Sequence, residues 1–312
     1  MSAHTVARPG PKTYSAALAT TLTGAIRPKQ PDQRLLASLT DAGLPEGDTM
    51  VRVRPLRQIP SEVPTAFIVE GRRHPSKVRM GMTTFLIEHP DATFLVDPSV
   101  CDDVRPRVLS EMPALIRKAV EPPRHLVAVR DMLTDVGLGQ ADIAFALPTH
   151  LHWDHVSGLL DLPGLEIKAH DVEWKWAMGT SVAPSAGVRA SLVDRPVDTY
   201  NLDGPPVLTF ARSHDFFGDG SVLLVDLAGH SPGSVGVLLR TERGPVLIAG
   251  DAVWNNAQIE DIRQKAGFPG CFVDDDRRET FRTLHRLHAV RHQVTILPTH
   301  DHDATSAYAA DA

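Results

Sequence analysis

The apolar patterning of the chain predicts an α/β (α+β) fold of two sheets packed face to face with helices outside them. Two observations lead there. Strand-like segments fall into two runs, one from residue 51 to 97 and one from 207 to 249, and helical segments follow each run. A third observation bounds the organisation: after residue 50 there is no composition break, no low-complexity block and no repeat of about 20–50 residues. Residues 49–312 are therefore expected to form one domain behind an N-terminal extension, 1–48.

Pro9, Pro11, Pro28, Pro31 and Pro45 punctuate the extension, leaving room for short helices near 14–25 and 33–41. It is expected to be a partly ordered arm, either free or packed on the body or on a second subunit of a homodimer. Val51-Arg52-Val53-Arg54-Pro55-Leu56 alternates apolar and polar side chains, the period of a half-buried strand. Further strands are predicted at 65–70, 80–88 and 92–97, the last two joined as a hairpin through His89-Pro90-Asp91. Residues 104–120, with Val108, Met112, Leu115 and Ile116 at helical spacing, and 126–136 are predicted helices. A short buried strand at 141–148 delivers the most polar-rich motif of the chain, after which come a short helix, a strand at 165–169 and a helix from Asp171. Residues 177–205, rich in Ser, Ala, Pro and Gly, have the composition of a long loop or lid. Strands at 207–211, 221–226, 234–239 and 246–249 follow, then a helix at 274–287 with Phe281, Leu284 and Leu287 on one face, a strand at 293–298 and a short tail.

Composition narrows the function. With 42% apolar residues in 312 the chain can bury a substantial core. A net charge of −6, with basic residues scattered among acids, gives no case for a nucleic-acid partner. No apolar run reaches the roughly 20 residues that span a bilayer. The stretch 16–26 is too rich in Thr and Ala to read as a secretory segment. Cys101 and Cys271 are too far apart for a Cys-x-x-Cys site and too few for a disulfide framework, so a cytoplasmic location is expected.

The motif is Thr149-His150-Leu151-His152-Trp153-Asp154-His155: four metal-ligand types within six residues at the exit of a buried strand. His150 and His152, two apart, project to one side of an extended chain. Imidazole and carboxylate together suit Zn²⁺, Mn²⁺ or Fe²⁺. Three more polar residues stand where buried strands open into loops: His230 in Gly-His-Ser-Pro-Gly, Asp251 after Ile248-Ala249-Gly250, and His300 after Leu297-Pro298-Thr299. Alone, His230 reads equally well as a turn histidine and Asp251 as a turn or helix-capping residue. Beside the first stretch they complete a set of five His and two Asp, enough for two metals that share one carboxylate. His302 rivals His300 and is otherwise a substrate contact. Asp97 either supports the His loop or caps a turn, and His170 reads as a structural histidine. Trp153 and Trp254 are candidates for an apolar wall beside the metals that receives a small-molecule substrate.

The order His-x-His-x-Asp-His, Gly-His-Ser-Pro-Gly, Gly-Asp and a late-strand His resembles the metallo-β-lactamase-fold hydrolases over roughly residues 50–302. The resemblance implies a four-layer αβ/βα sandwich with two divalent ions, zinc foremost, at one edge. It implies that His150, His152 and His230 hold the first ion, that Asp154, His155 and His300 hold the second, and that Asp251 bridges them. Two such ions, about 3.5–4 Å apart, yield a bridging hydroxide near neutral pH and polarise the scissile bond. Asp154 would orient the hydroxide and pass a proton to the leaving group. Within the superfamily the chain looks most like the N-acyl homoserine lactonases, so ester or lactone hydrolysis is expected. Those enzymes place a substrate-binding Tyr three residues past the bridging Asp, where this chain has Trp254. The alternatives are phosphodiester or phosphotriester hydrolysis and, in another class, a metal-containing ligand-binding or sensor module without turnover.

Overall fold

The computed structural model describes residues 14–112, 114, 117, 121–122, 125–179 and 192–310. Two sheets face each other. The first has the order β1 (Arg52–Arg57), β4 (Thr83–His89), β5 (Ala92–Val96), β6 (Phe145–Ala146), β7 (Glu166–His170), β8 (Val197–Tyr200). The second runs β13 (Thr295–Pro298), β12 (Gly244–Gly250), β11 (Val235–Thr241), β10 (Val222–Asp226), β9 (Ser213–Asp215). A small ribbon, β2 (Ser61–Pro64) with β3 (Lys77–Met80), stands apart.

Period-two side-chain alternation sorts each strand between two cores. Phe85, Ile87, Phe94, Val96 and Phe145 of the first sheet meet Val222, Leu224, Val237, Val246, Ile248 and Leu297 of the second in a shared apolar layer. Leu86, Leu95 and Ala146 point outward, against Val129, Met132 and Leu133 of the helix Val129–Asp135. Leu223, Val225, Leu238 and Leu247 point outward on the other side, against Phe281, Leu284 and Leu287 of the helix Arg277–Val290. The layers are therefore helix, sheet, sheet, helix, as the sequence led us to expect.

Several elements differ from expectation. Residues 65–70 form one helical turn, Thr65–Ile68, rather than a strand, because Thr65 N bonds back to Ser76 O and the segment is set across the base of the β2–β3 ribbon. Residues 207–211 make only an isolated bridge between Val207 and Phe210. The expected helix at 104–120 is a short helix, Val104–Arg107, and a 3₁₀ turn, Leu109–Glu111; Leu115 and Ile116 lie outside the described residues. The presumed 177–205 loop contains the end of the helix Asp171–Gly179 and the edge strand β8, while 180–191 lie outside the described residues. The tail is a helix, His302–Ala310. Residues 14–48 lie against the body: Ala17, only 1% exposed, is in the helix Tyr14–Ile26, which abuts the helix Gly267–Val273. Phe268 N donates to Thr21 Oγ1 at 2.6 Å, and Asp32 N to His285 Nε2 at 2.8 Å.

Candidate metal centre

Chain ends from both sheets converge at one edge of the sandwich. Leu147 to Leu151 leave β6, and a single turn of helix, Trp153–Val156, places Asp154 and His155 behind His150 and His152. The second sheet supplies His230 beyond β10, Asp251 beyond β12 and His300 beyond β13. Val235 N donates to Thr149 O at 2.9 Å, tying the two loops across the sheets. Gly250, at φ 52°, is required by a close approach: a Cβ there would sit 2.5 Å from Thr149 Oγ1.

All seven expected ligands meet, as two sets joined by one carboxylate. His150 Nε2 lies 3.0 Å from His152 Nδ1, which lies 2.8 Å from His230 Nε2. Asp251 Oδ2 is 3.3 Å from His230 Nε2, while its Oδ1 is 3.2 Å from both His155 Nε2 and His300 Nε2. Asp154 Oδ2 completes the second set, 3.4 Å from His300 Nε2 and 4.0 Å from His155 Nε2. Within each of the groups His150/His152/His230, His150/His155/Asp251 and Asp154/His155/His300 the ligand atoms lie within 4.8 Å of one another.

The chemistry of the donor set fits divalent cations. Three imidazole nitrogens face one another through contacts of 3.0 and 2.8 Å, and imidazole is a common ligand of such ions. His155 Nε2 and Asp251 Oδ1 are fully buried without a hydrogen-bond partner, although buried polar atoms are normally satisfied. The outward nitrogens explain why the inward ones are free to coordinate. His155 Nδ1 donates to Asp97 Oδ2 (2.8 Å), His230 Nδ1 to Asp274 Oδ1 (3.0 Å) and His300 Nδ1 to Gly81 O (2.9 Å). Thr149 Oγ1 donates to Asp97 Oδ2 at 2.9 Å, so its lone pair accepts from His150 Nδ1 at 3.1 Å. Each of these bonds fixes a tautomer and a ring orientation.

Electrostatics divides the site. Burial, then neighbouring imidazoles, hold His150 well below the usual histidine range and His152 down at about 3. Burial and the Lys265 ammonium lower His230. These three are neutral lone-pair donors. Burial also opposes charge on His155 and His300, but carboxylates outweigh it: Asp97 and Asp251 raise His155 well above its usual range, and Asp251 and Asp154 push His300 up to about 10. Against its own burial, Asp251 is held well below the carboxylate range by His300 and His155.

The expected wall residues divide as well. Trp153 is 7% exposed and packs in the outer core of the first sheet, in one cluster with Leu159 and Val156. Trp176 instead lies beside the ligands, its ring 5.8 Å from that of His152. Trp254 flanks the second set, 5.7 Å from the His300 ring, and donates its indole N–H to Asp251 Oδ2 at 2.7 Å. His302 is half-buried at the start of the last helix and belongs to none of the ligand groups.

Sequence reasoning missed all the braces but one. Asp97, left open between support and turn-capping, accepts from Thr149 N, Thr149 Oγ1, Thr299 Oγ1 and His155. Glu173, in the helix after β7, accepts from Leu151 N at 2.9 Å, Ser231 Oγ at 2.7 Å and Gly233 N at 2.9 Å, and so clamps the His150–His155 loop to the His230 loop. Burial pushes its carboxyl up to about 7 against those donors. Asp274 and Lys265 were also unseen. A flanking apolar pair, Val172 and Trp174, was the only hint at Glu173, and nothing in residue type separates a buried Lys265 from a surface lysine.

Comparison with known proteins places this geometry. A family model described as the metallo-beta-lactamase superfamily matches residues 81–307. N-acyl homoserine lactonase AttM of Rhizobium radiobacter is 27% identical over 180 residues, covering 56% of this chain and 64% of the relative. The matched segment is thus less than two thirds of that relative's length. Among solved structures, a B. thuringiensis AiiA mutant with N-decanoyl-L-homoserine bound at its active site superposes with a TM-score of 0.61 at 17% identity, over 84% of this chain and 97% of that one. AidC, described as a dizinc quorum-quenching lactonase, gives a TM-score of 0.54 at 13% identity, over 84% and 90%. At such identities the structural likeness is one of fold.

Proposed function

This chain belongs to the metallo-β-lactamase superfamily, and from that premise we propose that it is a metal-dependent hydrolase that opens an ester or lactone carbonyl. The observation that carries this reading is the convergence of seven ligand side chains into two sets that share Asp251. His150, His152 and His230 would hold one divalent ion, Asp154, His155 and His300 the other, with Asp251 between them. Zinc is the favoured metal, with manganese and iron suited to the same ligands. Such ions supply Lewis acidity and a water of lowered pKa.

The chain's own residues do the rest. Asp154 is the ligand with the most exposed carboxylate, its side chain 17% accessible against 4% for Asp251. It can therefore reach both the nucleophilic water and the departing oxygen, orient the first and carry a proton to the second. Trp176 lies beside His152 of the first set and Trp254 beside His300 of the second, an apolar ring at each. The lactonase relatives favour a lactone substrate; the indole N–H of Trp254, engaged with Asp251, favours a phosphotriester or aryl ester that needs no donor at that position. A panel of N-acyl homoserine lactones, aryl esters, phosphodiesters and phosphotriesters, run on metal-loaded protein, decides between them. Lactone or ester turnover that vanishes with chelator is the expected result. Two bound metals with no turnover on any of the panel would leave a binding module instead.

A further inference from the structure

Lys265 is a fully buried ammonium behind the ligands, on the connector between the helices Asn256–Asp261 and Gly267–Val273. Its Nζ donates to the backbone carbonyl of Asp251 at 2.8 Å and to Asp274 Oδ1 at 2.8 Å, and lies 4.9 Å from the Trp254 ring centroid. Asp274 Oδ1 is the same oxygen that accepts from His230 Nδ1. One side chain therefore joins the residue expected to bridge the two ions to the brace of a ligand of the first ion. We propose that Lys265 is a positioning residue: it locks the loop of Asp251 to the loop of His230 and so sets the geometry of the metal centre. The inference rests on the metal-binding reading above.

The surroundings show a position built to hold this cation still. Lys265 O and Ala266 O accept from the Arg277 guanidinium at 2.8 and 3.1 Å. Ala266 N donates to Phe67 O at 3.1 Å, and Gln264 O accepts from Glu70 N at 2.9 Å. The backbone is thus clamped on both sides while the side chain runs inward. On the far side, Asp275 N donates to His230 O at 3.0 Å, so His230 is held at its carbonyl as well as its ring.

Elementary energetics argues that such a cation is not there for stability. A buried ion pair roughly breaks even with a well-packed apolar pair of the same size, because desolvation offsets the attraction. An uncharged pair at 265 and 274 would fill this volume without that cost. Asp274 alone would suffice to fix the His230 tautomer. What Lys265 adds is the connection to Asp251.

The test compares Lys265→Met and the double variant Lys265→Met/Asp274→Asn with wild type. Metal content, affinity for Zn²⁺ and the visible spectrum of the Co²⁺-substituted protein are measured alongside kcat and KM. In both variants the expected result is a loss of about 10–100-fold in affinity for one of the two ions, the usual range for outer partners of ligands. A changed Co²⁺ spectrum should accompany it, with kcat lowered and KM little altered. The double variant removes both buried charges together, so it recovers folding that the single variant loses; its site is read against Asp274→Asn alone, and is expected to be weaker than in that variant. Wild-type affinity and spectrum in Lys265→Met, or their full return in the double variant, would reduce Lys265 to a charge partner and overturn the proposal. Failure of both variants to fold would overturn it too, making Lys265 a folding residue. Wild-type protein that binds no metal would instead remove the metal-binding reading itself.

Discussion

Asp97 concentrates the demands of the site in one carboxylate. It follows β5 at φ 52°, a left-handed conformation that a non-glycine residue holds only when its surroundings impose it. Fully buried, it accepts from Thr149 twice, from Thr299 and from His155, and so joins the two chain ends, after β6 and after β13, that supply His150, His155 and His300. Asp97→Asn keeps the shape but turns an amide NH₂ toward donors. The expected cost is about 2 kcal/mol in urea unfolding and a loss of about tenfold or more in metal affinity; unchanged values in both would remove its bracing role. His300 supplies a pH test. Without metal its pKa is raised from 6.5 to about 10 by Asp251 and Asp154. A folded-state value above the unfolded one means that this contribution is fully present below about pH 6.5 and is lost as pH rises through about 10. Chelated protein should therefore lose stability across that window. Metal-loaded protein, whose ligands are already deprotonated, should not follow it, and parallel stability profiles would contradict this.

At the scale of elements, what could be read depended on whether local pattern and tertiary context agreed. The long strands were legible because alternation reflects burial on two different faces: Phe94 and Val96 face the inner core while Leu95 faces the outer helices. The two-residue β6 was overestimated because Ala146, Leu147 and their neighbours are buried without being paired for their whole length. Thr65–Ile68, β-branched and aromatic, reads locally as a strand and becomes a helical turn through contacts with a distant segment. Gly229 marks a junction where an element's position is set by one missing side chain. It has φ 135°, and a Cβ there would sit 2.3 Å from Thr280 N in the helix Arg277–Val290. Gly229→Ala should push that helix away from His230, destabilising the protein by more than about 2 kcal/mol and weakening one metal site; thermal unfolding and metal titration read both. A variant with wild-type melting and metal content would show that the junction yields freely.

For the whole molecule, the candidate metal centre is a clasp between two sheets. The first sheet contributes His150 to His155 and the second contributes His230, Asp251 and His300. Ions that bind only the folded arrangement stabilise it by mass action. Chelation should accordingly lower the melting temperature by more than about 5 °C, with recovery on adding Zn²⁺; an unshifted midpoint would mean that the sheets hold the site without help. The seven candidate ligands were legible because they stand at strand exits in a fixed order. Their braces were not, because Asp274, Glu173 and Lys265 acquire their roles only from a fold that brings distant loops together. The sharpest measurement is metal content and hydrolytic activity of wild type beside His152→Ala. Two ions per wild-type chain are expected, with the variant losing metal and all turnover; a variant that still hydrolyses substrate at the wild-type rate would rule out metal-dependent hydrolysis at this site.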